Sequence, residues 1–98
     1  MSKESQWKVT IEIRGQAGII NYTEEKNIIR FNWEFGAHDI IAFIWKYDSE
    51  QWDKSYPWAV RRKNEILKRV AEEVIKQRAQ NCRAEIEYER TTIKIVKQ

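Results

Sequence analysis

The sequence predicts an α+β domain: an antiparallel sheet of about six strands, in the chain order ββββαββ, with one long amphipathic helix packed on one face. Three observations carry that expectation. Apolar and polar residues alternate with a period of two through most of the chain up to Tyr47, an apolar three-and-four spacing runs from about Ala59 to Ile75, and the period of two then returns. The 98 residues suffice for a single domain, 1–98, since a chain of this size buries about two-thirds of its unfolded surface. No internal repeat, low-complexity tract or long linker divides it.

In "WKVTIEIRG", Trp7, Val9, Ile11 and Ile13 alternate with Lys8, Thr10, Glu12 and Arg14, the pattern of a strand with one face buried. Gly15 and Gly18 punctuate a turn. "IINYTEEKNIIRFNWEF" then reads as a hairpin with its polar tip at Glu24 to Asn27, and Ile29, Phe31, Trp33 and Phe35 form a second apolar row. Gly36 breaks the run before "HDIIAFIWKY", the fourth strand of a meander.

This fourth strand is apolar at both parities: Ile40, Ala42 and Ile44 on one side, Ile41, Phe43, Trp45 and Tyr47 on the other. Next comes "DSEQWDKSYPW", read as a loop in which Asp48 caps a short helical turn and Gln51 is placed to complete a capping box. Pro57 opens the long helix, with Ser55 or Tyr56 at or beside the cap. Ala59, Val60, Ile66, Leu67, Val70, Ala71, Val74 and Ile75 supply its apolar stripe.

On the other side of the helix, Glu65 and Arg69, Lys68 and Glu72, Arg69 and Glu73, and Glu72 and Lys76 are opposite charges four apart, each pair giving about 0.3 kcal/mol of helix support. That is a solvated face. Arg78, Asn81 and Arg83 mark the helix end, and Ala84, Ile86, Tyr88, Ile93 and Ile95 lie in a terminal hairpin turning near Arg90 and Thr91.

A helix of about 22 residues is roughly 33 Å long and about 10 Å wide, whereas six strands at about 4.8 Å make a sheet close to 29 Å broad. The helix therefore shelters part of one face only. The other face closes by curling, by the Trp52 loop, or against another molecule, and the last is preferred because a large apolar patch on a protein surface marks an interaction site.

The formal charge of +3, from 18 basic and 15 acidic residues spread along the chain, gives a weak field and poor evidence for nucleic acid. Cys82 has no partner for an internal disulfide, and with His38 as the lone histidine the chain lacks a zinc ligand set. No metal, cofactor or glycine-rich phosphate loop is indicated. The opening residues lack the apolar core of a signal peptide and the longest apolar run, Ile40 to Trp45, is too short to span a bilayer, so a cytoplasmic location away from membranes is expected.

Chemistry has few candidates. His38 with Asp39 or Glu34 is the one pairing with acid/base potential, but adjacent strand residues point to opposite faces and no nucleophile is linked to them. A hydrogen-bonded turn explains them better. Trp52, Tyr56 and Trp58 beside Arg61, Arg62 and Lys63 could stack on bases and meet phosphates, anchor a protein, or plug the end of the core.

The resulting expectation is a small non-catalytic protein-binding domain, most simply a homodimer formed through the uncovered sheet face. Ile40, Ala42 and Ile44, or their opposite-parity neighbours if the helix lies on the other side, form the first candidate surface. Trp52, Tyr56, Trp58, Arg61 and Arg62 form the second. A single-stranded nucleic-acid module using the aromatics with Arg61 and Arg62, and an enzyme built on His38 with Glu34 or Asp39, are the alternatives.

Overall fold

In a computed structural model, which describes residues 6–98, each alternating stretch is a strand of one antiparallel sheet. These are β1 (Trp7–Arg14), β2 (Ala17–Glu24), β3 (Asn27–Phe35), β4 (Ile40–Trp45), β5 (Cys82–Ile86) and β6 (Thr92–Lys97). Two helices, α1 (Ser49–Ser55) and α2 (Lys63–Arg78), lie between β4 and β5. The α+β class and the ββββαββ order of the principal elements are as the sequence predicts.

The spatial order is β1-β2-β3-β4-β6-β5, so the first four strands form the expected meander. The last strand, β6, fills the place beside β4 and leaves β5 at the edge. Because β6 is antiparallel to both, β4 and β5 run parallel, and α2 belongs to the crossover that such strands require.

Local chemistry sets the turns. Gly15, at φ 67, occupies the first position of a two-residue loop joining β1 to β2, where a side chain would be strained. Gly18 allows a close crossing: a Cβ there would lie 1.9 Å from the Glu12 carbonyl oxygen and 2.8 Å from Trp33 Nε1. Trp33 lies over this gap and donates from Nε1 to Glu12 O at 3.1 Å.

The expected single helix from Pro57 is interrupted. Pro57–Ala59 form a 3-10 turn, Arg62 is non-helical at φ −121 and ψ 9, and α2 begins at Lys63. The cause is the Ala59 carbonyl, which accepts from Arg62 N at 3.0 Å and from the buried Trp52 Nε1 at 3.0 Å. A continuous α-helix would give that carbonyl to residue 63. With 16 residues, α2 is about 24 Å long, and even less of the sheet is roofed.

The stretch around Trp52, read as a loop, is α1. Asp48 caps it, accepting from Gln51 N at 2.9 Å, but the Gln51 side chain reaches forward to Ser55 Oγ at 2.9 Å and no capping box closes. At the other end of α2, Asn81 takes the left-handed conformation, φ 71, that the sequence suggests.

The core lies between the helices and one sheet face. Tyr22, Phe31, Ile20, Ile29, Ile44, Ile93 and Ile95 from the strands meet Ile66, Leu67 and Val70 from α2 and Trp52 from α1, all fully buried. Each such side chain contributes about 1.5–3 kcal/mol by leaving water. No helix among the described residues is long and apolar enough to cross a membrane.

Trp52 both fills the core and breaks the helix, so Trp52→Ala should lower unfolding free energy by about 3–5 kcal/mol in urea denaturation. Val60→Ala, at a site 42% exposed, should change it by no more than about 0.5 kcal/mol.

Candidate functional site on the open sheet face

The helices cover the face carrying Val9, Ile20, Tyr22, Phe31, Ile44, Ile93 and Ile95, and among the described residues no helix covers the other. Ala42 and Ile44 point to the covered side and are buried at 9% and 0% exposure. They are core residues, which corrects their place in the first candidate surface. Their opposite-parity neighbours Phe43 and Trp45 occupy the open face, with rings stacked at 5.8 Å and 14° and Trp45 41% exposed.

A bulge alters the parity along β4. Ile40 pairs with Val96 and Ala42 with Ile95, leaving Ile41 as the extra residue between them. Ile40 therefore lies on the same face as Val96, Phe43 and Trp45, where Val96 is buried, Ile40 and Phe43 are half-buried and Trp45 is exposed, while Ile41 lines a cavity with Ala42, Ile44 and Val74. Of the three residues singled out in the sequence, Ile40 alone lies on the uncovered side.

Elsewhere that face is polar. Across Phe43 the ladder reads Arg14, Ala17, Glu34, Phe43, Lys94 and Glu85 from β1 to β5, and across Trp45 it reads Glu12, Ile19, Asn32, Trp45 and Thr92 from β1 to β6. Glu12 accepts from Asn21 Nδ2 at 2.7 Å and from Arg14 at 3.0 Å, and these bonds hold its carboxyl below the usual range. Glu34 and Lys94, immediately either side of Phe43, make no ion pair among the described residues.

The second candidate patch is dispersed. Trp52 is fully buried, Trp58 packs half-buried against the core, and Arg61 is exposed. Tyr56 stacks on Tyr47 at 5.8 Å, and a cleft of about 160 Å³ beside them is lined by Arg30, Asn32, Trp45 and Lys46. His38 sits in the left-handed region at φ 59, exposed, in the turn before β4, while the Asp39 carbonyl accepts from Lys97 N. Glu34 lies in β3 on the open face, and none of the cavities formed among the described residues beside Arg78, Tyr56 or Ile86 is lined by any of the three.

Arg62 is committed inside the fold. Its guanidinium grips Glu24 through two bonds of 2.7 and 2.9 Å, and Glu24 also accepts from Tyr22 Oη at 2.5 Å. Arg69 adds a donor to Tyr22 Oη at 2.9 Å and lies 5.0 Å above the Trp7 ring. The Arg62 bonds, with the Tyr22 bond behind them, hold the Glu24 carboxyl below its usual range, while burial and the Glu24 bond push the Tyr22 phenol up to about 12.

A further cluster ties the β5–β6 loop to the helices. Lys46 and Lys63, both buried, donate to the carbonyl of Tyr88; Lys46 also reaches Arg90 O, and Lys63 also reaches Ser49 Oγ. Desolvation, with Lys63 nearby, lowers the Lys46 ammonium to about 8. Neither lysine has a sequence signal for burial, because their acceptors, mostly backbone carbonyls with Ser49 Oγ and the Glu89 carboxylate added for Lys63, lie up to 44 residues away.

The comparisons add no relative: no family model, curated protein or solved structure matches the chain. The uncovered stripe on β4 and the charges flanking it are thus the features from which function is argued. Lys94 carries no signal in the sequence and becomes a candidate only once the β4–β6 register is known.

Glu24 supports a pH prediction. Its folded pKa lies below the unfolded one, so its stabilisation is fully present above the ordinary carboxylate range and disappears as pH falls through the folded value. Thermal melts should therefore show the wild type losing stability progressively below about pH 4.5, with Glu24→Gln less stable at neutral pH and less sensitive to acid.

Proposed function

We propose that the protein is a self-associating, non-catalytic binding domain whose open sheet face docks against the same face of a second copy. The observation that carries this is the charge order around the β4 stripe. Glu34 stands one strand to one side of Phe43 and Lys94 one strand to the other, each about 4.8 Å away along the ladder.

A closed dimer needs an isologous, self-complementary patch. Rotation about a two-fold axis lying along β4 in the interface exchanges the two flanking positions, so Glu34 of one copy faces Lys94 of the partner subunit, and the converse contact forms with it. The next rank obeys the same rule, since Asn32 then faces Thr92 of the partner subunit, two groups able to hydrogen-bond. Phe43 and Trp45 lie on the axis and stack as a central apolar strip between sheets about 10 Å apart.

An axis across the strands would set each flanking charge against its own kind. That arrangement is disfavoured. Because β4 is the fourth strand in the sheet, five strands, β2 to β5 in spatial order, overlap about an axis along it, and at about six residues each they give a footprint near 24 by 20 Å, below the usual size of a specific interface, so weak association, micromolar or looser, is expected. Glu12, Glu34 and Glu85 interrupt the face as a track for phosphates, which counts against single-stranded nucleic acid as its occupant.

Light scattering from about 5 to 500 µM protein tests this. The wild type should pass from monomer to dimer, Lys94→Glu and Glu34→Lys should each weaken association about tenfold or more, and the double exchange should recover most of it. A wild-type monomer throughout, or single exchanges that leave the transition unmoved, would overturn the reading.

A further inference from the structure

On the other side of the sheet, α2 ends at Arg78 while the strands continue beyond it, leaving a region of the helix-covered side without a roof. Ile13 and Phe35, both facing that side, are 45% and 46% exposed there. Beside them lies a cavity of about 230 Å³, partly open to solvent, with Ile11, Trp33, Ile41 and Val74 among its lining residues and the exposed Arg78 as well. It owes part of its wall to the bulge that turns Ile41 inward.

The chemistry of this lining is one-sided. Trp33 has already spent its indole N–H on Glu12 O, so its ring presents carbon alone, and every other lining side chain except Arg78 is aliphatic or aromatic. Arg78 is the sole charged residue in the lining and makes no ion pair among the described residues. An apolar cavity of about 150 Å³ can hold benzene, so this one is large enough for a ligand and has one polar anchor.

We propose that this cavity binds a small amphiphilic carboxylate, with an alkyl or arylalkyl chain inside and the carboxylate paired with Arg78. At about 30 Å³ per water-sized group the space corresponds to roughly seven or eight such groups, the scale of a medium-length chain. The planar guanidinium matches a carboxylate with two parallel hydrogen bonds. The negative pole of α2 opposes an anion held against the helix end, so the head group lies outward on the guanidinium and the tail alone enters the cavity.

Sodium octanoate is the probe, titrated into the full chain with calorimetry and with the isoleucine methyl resonances followed by NMR; octanol is the comparator of similar length without charge. Saturable shifts are expected at Ile11, Ile13 and Ile41, with octanoate binding at least about fivefold more tightly than octanol, and Arg78→Gln should weaken octanoate about tenfold while leaving octanol unchanged. Arg78 is exposed, so this variant should retain the wild-type melting transition. Absence of saturable shifts, equal affinity for the two probes, or an Arg78→Gln protein that binds octanoate as the wild type does would each overturn the proposal. The cavity and the dimer face lie on opposite sides of the sheet, so either can fail without the other.

Discussion

One extra residue in β4 determines which faces of the sheet Ile40 and Ile41 take. A strand assigns its side chains to two faces in strict alternation, and a chain with a single principal helix can shelter one of them. With Ile41 inserted between two paired positions, Ile40 is on the open face, Ile41 and Ala42 are on the sheltered one, and alternation then resumes through Phe43, Ile44 and Trp45. Without the bulge, Ile41 would join Phe43 and Trp45 outside. The local kink therefore divides the apolar content of the strand between an exposed stripe and an internal cavity.

The clean rows were legible because each has one apolar parity. Trp7, Val9, Ile11 and Ile13, and likewise Ile29, Phe31, Trp33 and Phe35, face the helix side as their alternation implies. β4 has apolar residues at both parities, so its own pattern contains no information on which side α2 occupies. Only pairing with Trp33 and Ile93 fixes Ile44 inward.

Features that depend on distant partners were hidden. The three-and-four spacing continues through Ala59 and Val60 whether or not the helix does, and the interruption arises when Trp52, seven residues earlier, takes the Ala59 carbonyl. Similarly, Glu24 looks like solvent-facing hairpin tip, yet Arg62 and Arg69 reach it from 38 and 45 residues away and make its burial tolerable. Composition signals the presence of charge but carries no record of such pairings, and an unpaired carboxylate in that position would be strongly disfavoured.

The two faces also divide the electrostatics by strength. On the sheltered side, Glu24 is 3% exposed and receives two guanidinium bonds from Arg62, a geometry little screened by salt. On the open side, the Arg14–Glu12 and Arg83–Glu85 pairs have side chains 44–70% exposed, and pairs of this kind contribute little to folding. Surface charge there is consequently free to serve recognition, where its effect lies in register and encounter more than in raw affinity. Removal of water as two faces meet would strengthen the Glu34 and Lys94 contacts relative to their exposed state, but each ion would also pay for desolvation. In the proposed dimer the aromatic stripe would therefore provide most of the net attraction, with the flanking charges selecting the orientation in which it is used.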